Sequence, residues 1–287
     1  MAIRAGFIGL GNQGKPIAAH FAPSGFETTV YDISPEPVSE LVAAGARAAH
    51  SPKEVGAHSD VVGVCVPEDE HVRQVVYGDQ GLLAGLSAGD VIAIHSTVLP
   101  STAIELAEAA HRQGVAVLDA CVTGGAARAA SRTLTYLVGG DAEALEKVRP
   151  LLECSAEKVI HAGPLGHGAK LKLCINLITY IQWAAAFESH ALASAVGLPS
   201  EVLEEAGLSN GQITPLMQAY LASVKMPMEI KGSDAVQSLM RGHMHVAEKD
   251  LAWALTLAKE SGVSLPVGGL VSQLMARLYG VEDAQKR

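Results

Sequence analysis

The stretch GFIGLGNQGKPIA, Gly6 to Ala18, decides how this chain is read. The apolar run Ala5-Gly6-Phe7-Ile8 has the composition of a buried strand, and Ile17-Ala18-Ala19 that of a helix. Gly9, Gly11 and Gly14 fall at the turn between them. Each glycine has its own physical use. Gly9 permits the tight turn, Gly11 lets a pyrophosphate approach the backbone, and Gly14 lets helix and strand pack closely. The helix start adds free N–H groups and the positive end of its dipole, which suit a phosphate. Glycine-rich turns are common, so the triplet alone says little. Here it has a strand before it, a helix after it and an acid further on. The loop residues Gly9, Leu10, Gly11, Asn12, Gln13 and Gly14 are therefore the expected dinucleotide contacts.

That acid is Asp32, in TTVYDISPE. Thr28 to Tyr31 reads as a second strand. Asp32 closes it about 20 residues past the last glycine, where a carboxylate can accept bonds from the adenosine ribose hydroxyls. The plainer alternative is a turn aspartate ahead of Ser34-Pro35. As a ribose ligand Asp32 would repel a 2′-phosphate, and no arginine follows at once, so NAD is expected over NADP.

At 287 residues the chain is expected to hold about two domains. Aromatics make up only 4%, so the core is expected to be built from Ala, Val, Leu and Ile. A net charge of −9 argues against non-specific binding to nucleic acid or an anionic membrane surface. No basic stripe interleaved with aromatics appears. The N-terminal apolar segment is needed as the first strand and does not read as a signal peptide. Leu173 to Phe187 is strongly apolar, but Asn176 and Gln182 interrupt it and Glu188 ends it. It reads as a buried helix rather than a membrane span. Cys65, Cys121, Cys154 and Cys174 form no C-x-x-C pair and read as small buried residues in a reducing, cytoplasmic setting. There is no H-E-x-x-H, and His243 and His245 are two apart, so no metal is expected.

Along the first half, strand-like runs (Val61–Val66, Val91–His95, Val115–Ala120, Leu134–Val138) alternate with helical stretches such as Ser101–Arg112 and Ala142–Leu152. This is the α/β pattern of a mostly parallel, doubly wound sheet. Past GPLGHGAK the chain reads as helix: a long one over about Gly168–Ala195, then Ser200–Ala206, Thr214–Ser223, Ala235–Glu260 and Pro266–Tyr279. The expected organisation is a Rossmann-type NAD-binding domain over residues 1–165. An all-helical substrate and oligomerisation domain follows over 166–287, joined by the long helix. The substrate is expected to meet the nicotinamide where the carboxyl ends of the strands face those helices.

Three strand ends point to that place. Val66-Pro67 follows one strand, Ser96-Thr97 the next, and Thr123-Gly124-Gly125 the one after. Each of the first two reads either as a site contact or as an ordinary turn. Thr-Gly-Gly is more specific, since its hydroxyl and exposed N–H groups can form a nest for a carboxylate. On the long helix Lys172 and Asn176 are four apart and share a face. Lys172 reads either as an exposed lysine or as a proton-transfer group whose pKa is lowered by burial and the helix dipole. Asn176 reads either as a helix-interior amide or as a holder of the reacting oxygen.

Taken together, GFIGLGNQG, STVLP, DACVTGG with TLTYLVGG, GPLGHGAKLKLCIN and EKDLAWALTLAKESGVSLP resemble the β-hydroxyacid dehydrogenase family over essentially the whole chain. The family includes 3-hydroxyisobutyrate dehydrogenases and tartronate semialdehyde reductases. The resemblance implies NAD-dependent hydride transfer between nicotinamide and the alcohol or carbonyl of a hydroxyacid. It implies Lys172 as general acid and base, Asn176 as its polar partner, and Thr123-Gly124-Gly125 as the substrate anchor. It also implies Val66, Pro67, Thr97 and Lys249 as cofactor contacts, and a homodimer or homotetramer assembled through the helical domain. The chain departs from the family at Thr123, where serine is usual, and at Ile175, where a first asparagine is usual. Arg128 and Arg132 stand where two glycines are usual. They are four apart in an alanine-rich segment that predicts one helical turn. They either share a face that binds a second anionic group of the substrate, or they are solvated or paired on the surface. Two other functions remain open on sequence: C=N reduction of the imine-reductase kind, and a non-enzymatic NAD-binding protein.

Overall fold

The computed structural model describes residues 3–281. In chain order the α/β part runs β1 (Arg4–Ile8), α1 (Gly14–Ala18), β2 (Glu27–Tyr31), α2 (Pro35–Ala43), β3 (Arg47–Ala48), α3 (Pro52–Ala57), β4 (Val61–Val64), α4 (Asp69–Tyr77), β5 (Val91–Ile94), α5 (Pro100–His111), β6 (Ala116–Thr123), α6 (Gly125–Ala130), β7 (Leu134–Gly139), α7 (Ala142–Leu152) and β8 (Ala156–Gly163). The helical part is α8 (His167–Ala195), α9 (Ser200–Ser209), α10 (Pro215–Val224), α11 (Met228–Lys231), α12 (Asp234–Glu260), α13 (Pro266–Ser272) and α14 (Met275–Tyr279). The chain divides into two units after Lys172, inside α8.

The first unit is one eight-stranded sheet in the order β3-β2-β1-β4-β5-β6-β7-β8. Every neighbouring pair is parallel except β6 and β7. Strand order reverses beside β1, so the glycine loop lies at the switch point where doubly wound sheets bind ligands. Near-continuous apolar strands such as Val61–Val64 and Val91–Ile94 are buried along their length, as a sheet covered on both faces requires. One apolar layer centres on Phe7, Ile17, Val30, Leu118 and Tyr136, the other on Ile8, Val62, Val72, Ile92 and Leu106. Between β1 and β6 sits His95, 4% exposed, its ring stacked on Phe7 at 5.6 Å and its Nδ1 2.8 Å from the Ala120 carbonyl oxygen. Burial pulls its pKa down to about 4, against the smaller effect of that hydrogen bond. It is a neutral core residue.

Local signals account for several helix starts. Asp141 accepts from the Ala144 N–H at 2.9 Å, Ser51 from Glu54 at 3.2 Å and Thr214 from Met217 at 3.2 Å, each satisfying a donor the helix leaves unpaired. In the second unit Tyr180, Ala184, Ala247, Leu251, Val271 and Met275 form one cluster. Trp183 stacks on Tyr220 with ring centres 4.8 Å apart.

Several expectations need correction. The strand expected over Val61–Val66 ends at Val64; the Cys65 N–H still donates to the Ile8 carbonyl at 2.8 Å, and the Val66 N–H turns to Ser96 Oγ. The helix expected over Pro266–Tyr279 is two helices, broken at Gln273-Leu274. The Leu173–Phe187 stretch is helical but not buried all round: Cys174 and Ile178 are exposed. Of the cysteines, Cys121 and Cys154 are buried, Cys65 is half-buried and Cys174 is exposed. Strands β3 and β8 lay in segments too short or too polar to be assigned from pattern. No helix among the described residues is long and apolar enough to cross a membrane.

Candidate active site

The loop from Gly9 to Gly14 is braced before any ligand arrives. Gly9 has φ +90°, and a Cβ there would run into the Cys65 carbonyl. A Cβ at Gly14 would run into the Gly9 carbonyl oxygen. Gly11 differs: a Cβ would meet nothing within 4 Å. The fold itself therefore makes no demand for glycine at 11, whereas a close-lying pyrophosphate would. Asp32 closes β2 and turns back on the loop, its Oδ2 accepting from the Leu10 N–H at 2.6 Å and its Oδ1 from Ser34 at 2.7 Å. Leu10 is buried and Asn12 exposed. The Gln13 Nε2 is buried with no hydrogen-bond partner among the described residues. An open backbone at Gly11, an orphaned amide at Gln13 and a carboxylate at the second strand end fit a dinucleotide.

The next two strand ends are tied to each other. The Val66 N–H donates to Ser96 Oγ at 2.9 Å. Asp69, in the first turn of α4, accepts from the Leu99 N–H at 3.0 Å and from Thr102 Oγ1 at 2.6 Å. Val66 and Thr97 are half-buried and Pro67 is exposed. Cys65 lies against the glycine loop, and burial pushes its thiol up to about 12, so it stays protonated.

At the end of β6 the chain makes another glycine turn. Gly124 and Gly125 both have positive φ, +125° and +75°, a conformation that favours glycine. Nothing lies within 4 Å of a Cβ at Gly125. Thr123 is half-buried. The helical turn expected after the nest is present as α6, but it ends at Ala130. Arg132 lies beyond it with φ +61°, so the two arginines do not share a helical face. Arg128 pairs with Glu157 at 2.9 Å, and its stem lies over Gly124. Arg132 Nε donates to His20 Nδ1 at 3.2 Å.

The long helix starts beneath β6. Asp119, fully buried in that strand, accepts from the Gly166 N–H at 2.8 Å and the Ala169 N–H at 2.6 Å. Burial pushes its pKa up, and the N–H groups of Ala169, Gly166 and Gly168 pull it back. Lys172 follows Ala169 by three residues and is half-buried, while Lys170 is exposed.

Within the helical unit Asn176 is 8% exposed and donates its Nδ2 to Asp250 Oδ2 at 2.6 Å. Lys249 Nζ meets the other oxygen of Asp250 at 3.1 Å, and the Tyr180 hydroxyl approaches Oδ2 at 3.5 Å. Burial, and then the Asp250 charge, hold the Tyr180 phenol well above its ordinary pKa, so it remains a donor. Asp250 thus joins two expected site residues, Asn176 and Lys249. Sequence reasoning passed over both Asp250 and Asp119. For Asp119 the signal was a carboxylate inside the apolar run AVLDACV, since aspartate is almost never fully buried unless it is paired; Asp250, next to Glu248 and Lys249, carries no such signal.

A family model described as the NAD-binding domain of 6-phosphogluconate dehydrogenase matches residues 4–163. A second, described as NAD-binding of NADP-dependent 3-hydroxyisobutyrate dehydrogenase, matches 166–286. The NAD-dependent L-serine dehydrogenase of Pseudomonas aeruginosa is 38% identical over 93% of this chain and 89% of its own. The 3-hydroxyisobutyrate dehydrogenase of the same organism is 33% identical over 97% and 93%. A structure of Mycobacterium tuberculosis 3-hydroxyisobutyrate dehydrogenase with L-serine superposes with a TM-score of 0.81 at 29% identity, covering 98% of this chain and 94% of that one.

Proposed function

This chain belongs to the β-hydroxyacid dehydrogenase family, and on that premise we propose that it oxidises the alcohol of a small 3-hydroxycarboxylate, with Lys172 exchanging the proton. The family carries NAD(P)-dependent dehydrogenation of CH–OH groups and NAD as cofactor. The observation that supports the substrate class is the turn after β6. Two successive left-handed glycines, with open space beside Gly125, present backbone N–H groups to a carboxylate. L-serine and 3-hydroxyisobutyrate, named for two relatives, are both carboxylates with a hydroxymethyl group.

In this reading Thr123, Gly124 and Gly125 bind the carboxylate. NAD, when bound, supplies the hydride acceptor. Lys172 takes the hydroxyl proton as a neutral amine during oxidation and returns it as an ammonium during reduction. Asn176, one turn further along α8, steadies the reacting oxygen, and its amide is oriented by Asp250. Gly11 and the N–H groups of the first loop receive the pyrophosphate, and Gln13 Nε2 gains a partner. Asp32 receives the ribose and disfavours a 2′-phosphate. Val66, Pro67, Thr97 and Lys249 are assigned to the cofactor on family likeness. The arginine pair is left out of this reading, with Arg128 paired to Glu157 and Arg132 donating to His20.

Assembly as a homodimer or homotetramer fits the helical unit, which exposes Leu192, Val196, Leu198 and Leu270, each more than half accessible. Light scattering on the purified protein reads the oligomeric state directly.

The test of function is a panel of L-serine, 3-hydroxyisobutyrate, a hydroxydicarboxylate and, in the reducing direction, a cyclic imine, each with NAD(H) and NADP(H). Turnover of the monocarboxylates with NAD is expected. Turnover confined to the imine, or none with any alcohol, would overturn the reading.

A further inference from the structure

We propose that Asp119 is the positioning residue that fixes Lys172 relative to the Thr123-Gly124-Gly125 turn. The inference rests on the functional reading above and names a residue that reading does not use. Asp119 stands at the fourth position of β6, and Thr123 ends the same strand four residues later. Its backbone is paired with Ile94 of β5 on one side and Gly139 of β7 on the other, so it cannot shift without moving the sheet.

Its carboxylate does the work that a local cap does at an ordinary helix start. The first N–H groups of a helix have no partner within it. The N–H groups of Ala169 in the first turn of α8 and of Gly166 just before it end on the two oxygens of Asp119, from a strand 50 and 47 residues away in sequence. The negative charge also lies at the positive end of a 29-residue helix. Two glycines make the approach possible. A Cβ at Gly139 would strike Asp119 Oδ1, and a Cβ at Gly168 would strike the carbonyl oxygens of Leu137 and Asp119. The start of α8 is thereby seated against the backbone of β6 and β7. Lys172 is three residues past Ala169, on nearly the same side of the helix. The strand that offers the anchoring turn therefore also sets the height and rotation of the lysine.

Asparagine at 119 keeps the shape but replaces one acceptor oxygen with a donor, which faces N–H groups that are themselves donors. For Asp119→Asn, kcat for the best hydroxyacid should fall about 10- to 100-fold, the scale of a misplacement near 1 Å. The Kd for NADH, read by its fluorescence, should stay within about twofold, since the glycine loop is untouched. Gly168→Ala disturbs the same seat without changing charge and should reproduce the split between kcat and NADH binding. Amide hydrogen exchange over residues 166–172 should rise in both variants, and this readout needs no turnover. Unchanged exchange in Asp119→Asn would overturn the anchor. Raised exchange with wild-type kcat in both variants would overturn the positioning role, and so would equal loss of kcat and NADH affinity, which marks general damage. Absence of hydroxyacid turnover in the wild type would count against the functional reading instead. In that case, faster exchange confined to 166–172 still reads whether Asp119 holds the helix.

Discussion

The glycine turns after β1 and after β6 are built in opposite ways. At the first, after β1, two of the three glycines answer to the protein: Gly9 to the Cys65 carbonyl and Gly14 to the Gly9 carbonyl. Asp32 then clamps the loop through Leu10. At the second, after β6, the need for glycine comes from the backbone's own conformation, two consecutive positive φ angles. Beside Gly125 there is open space, and the atoms nearest a Cβ at Gly124 belong to the stem of Arg128. The first turn is a rigid cradle for a common cofactor. The second turn leads straight on from β6, with Thr123 and Gly124 half-buried and Gly125 exposed. The helices that follow them are tied together where His20 Nε2 donates to the Ala129 carbonyl at 2.9 Å, with Nδ1 accepting from Arg132.

The largest expected effect falls on chemistry and spares the first turn. Lys172→Ala should lower kcat by about 10²–10⁴-fold, the range for loss of a general acid–base group. NADH affinity measured by fluorescence should be retained. Near-normal turnover would move the proton transfer elsewhere.

Next, the first turn's glycines should separate by role. Gly14→Ala should cost about 3 kcal/mol of stability, because a backbone carbonyl must move. Gly11→Ala should leave the urea midpoint unchanged yet weaken NAD binding about tenfold, equivalent to about 1.4 kcal/mol. Equal behaviour of the two variants would erase the distinction drawn above.

Beneath both turns, His95 should make the fold acid-sensitive. Its pKa lies near 4 in the folded chain against an ordinary 6.5, so the unfolded chain binds the extra proton first. Stability is then full above pH 6.5 and falls as the pH drops from 6.5 toward 4, by roughly 3 kcal/mol at most. Urea titrations at pH 7, 5.5 and 4 should show that slope, and His95→Asn should flatten it. An unchanged slope would place the sensitivity in another group.

Asp32→Ala should loosen the first turn by about 1.5–3 kcal/mol of lost charged hydrogen bonding. It should also narrow the kcat/KM preference for NAD over NADP, with substrate KM little changed. A preference that survives intact means the carboxylate serves the loop and not the ribose.

The smallest effect is expected at Arg128→Ala, beside the second turn. Its ion pair with Glu157 is exposed and worth under about 1 kcal/mol. The ratio of kcat/KM for mono- and dicarboxylate hydroxyacids should not change. A selective loss on the dicarboxylate would return this arginine to the substrate.

What the sequence determined by itself is whatever local periodicity and turn chemistry encode. Alternating apolar strands and helices, the Gly9-x-Gly11-x-x-Gly14 turn and the Asp141 cap are short-range patterns whose geometry is set by residues close in sequence. The separate uses of Gly9 and Gly14 could be read from the motif, and the contacts agree with them. Tertiary structure alone decided the rest. Arg128 and Arg132 are four apart, but α6 stops between them because the chain must turn back into β7. Glu157, the partner of Arg128, lies 29 residues away in β8. Asp119 caps a helix 47 residues on, and Asp250 joins Asn176 across 74 residues. Spacing along a chain carries no information about such pairs, because a buried carboxylate needs donors from any direction and only the packed fold brings those donors to it.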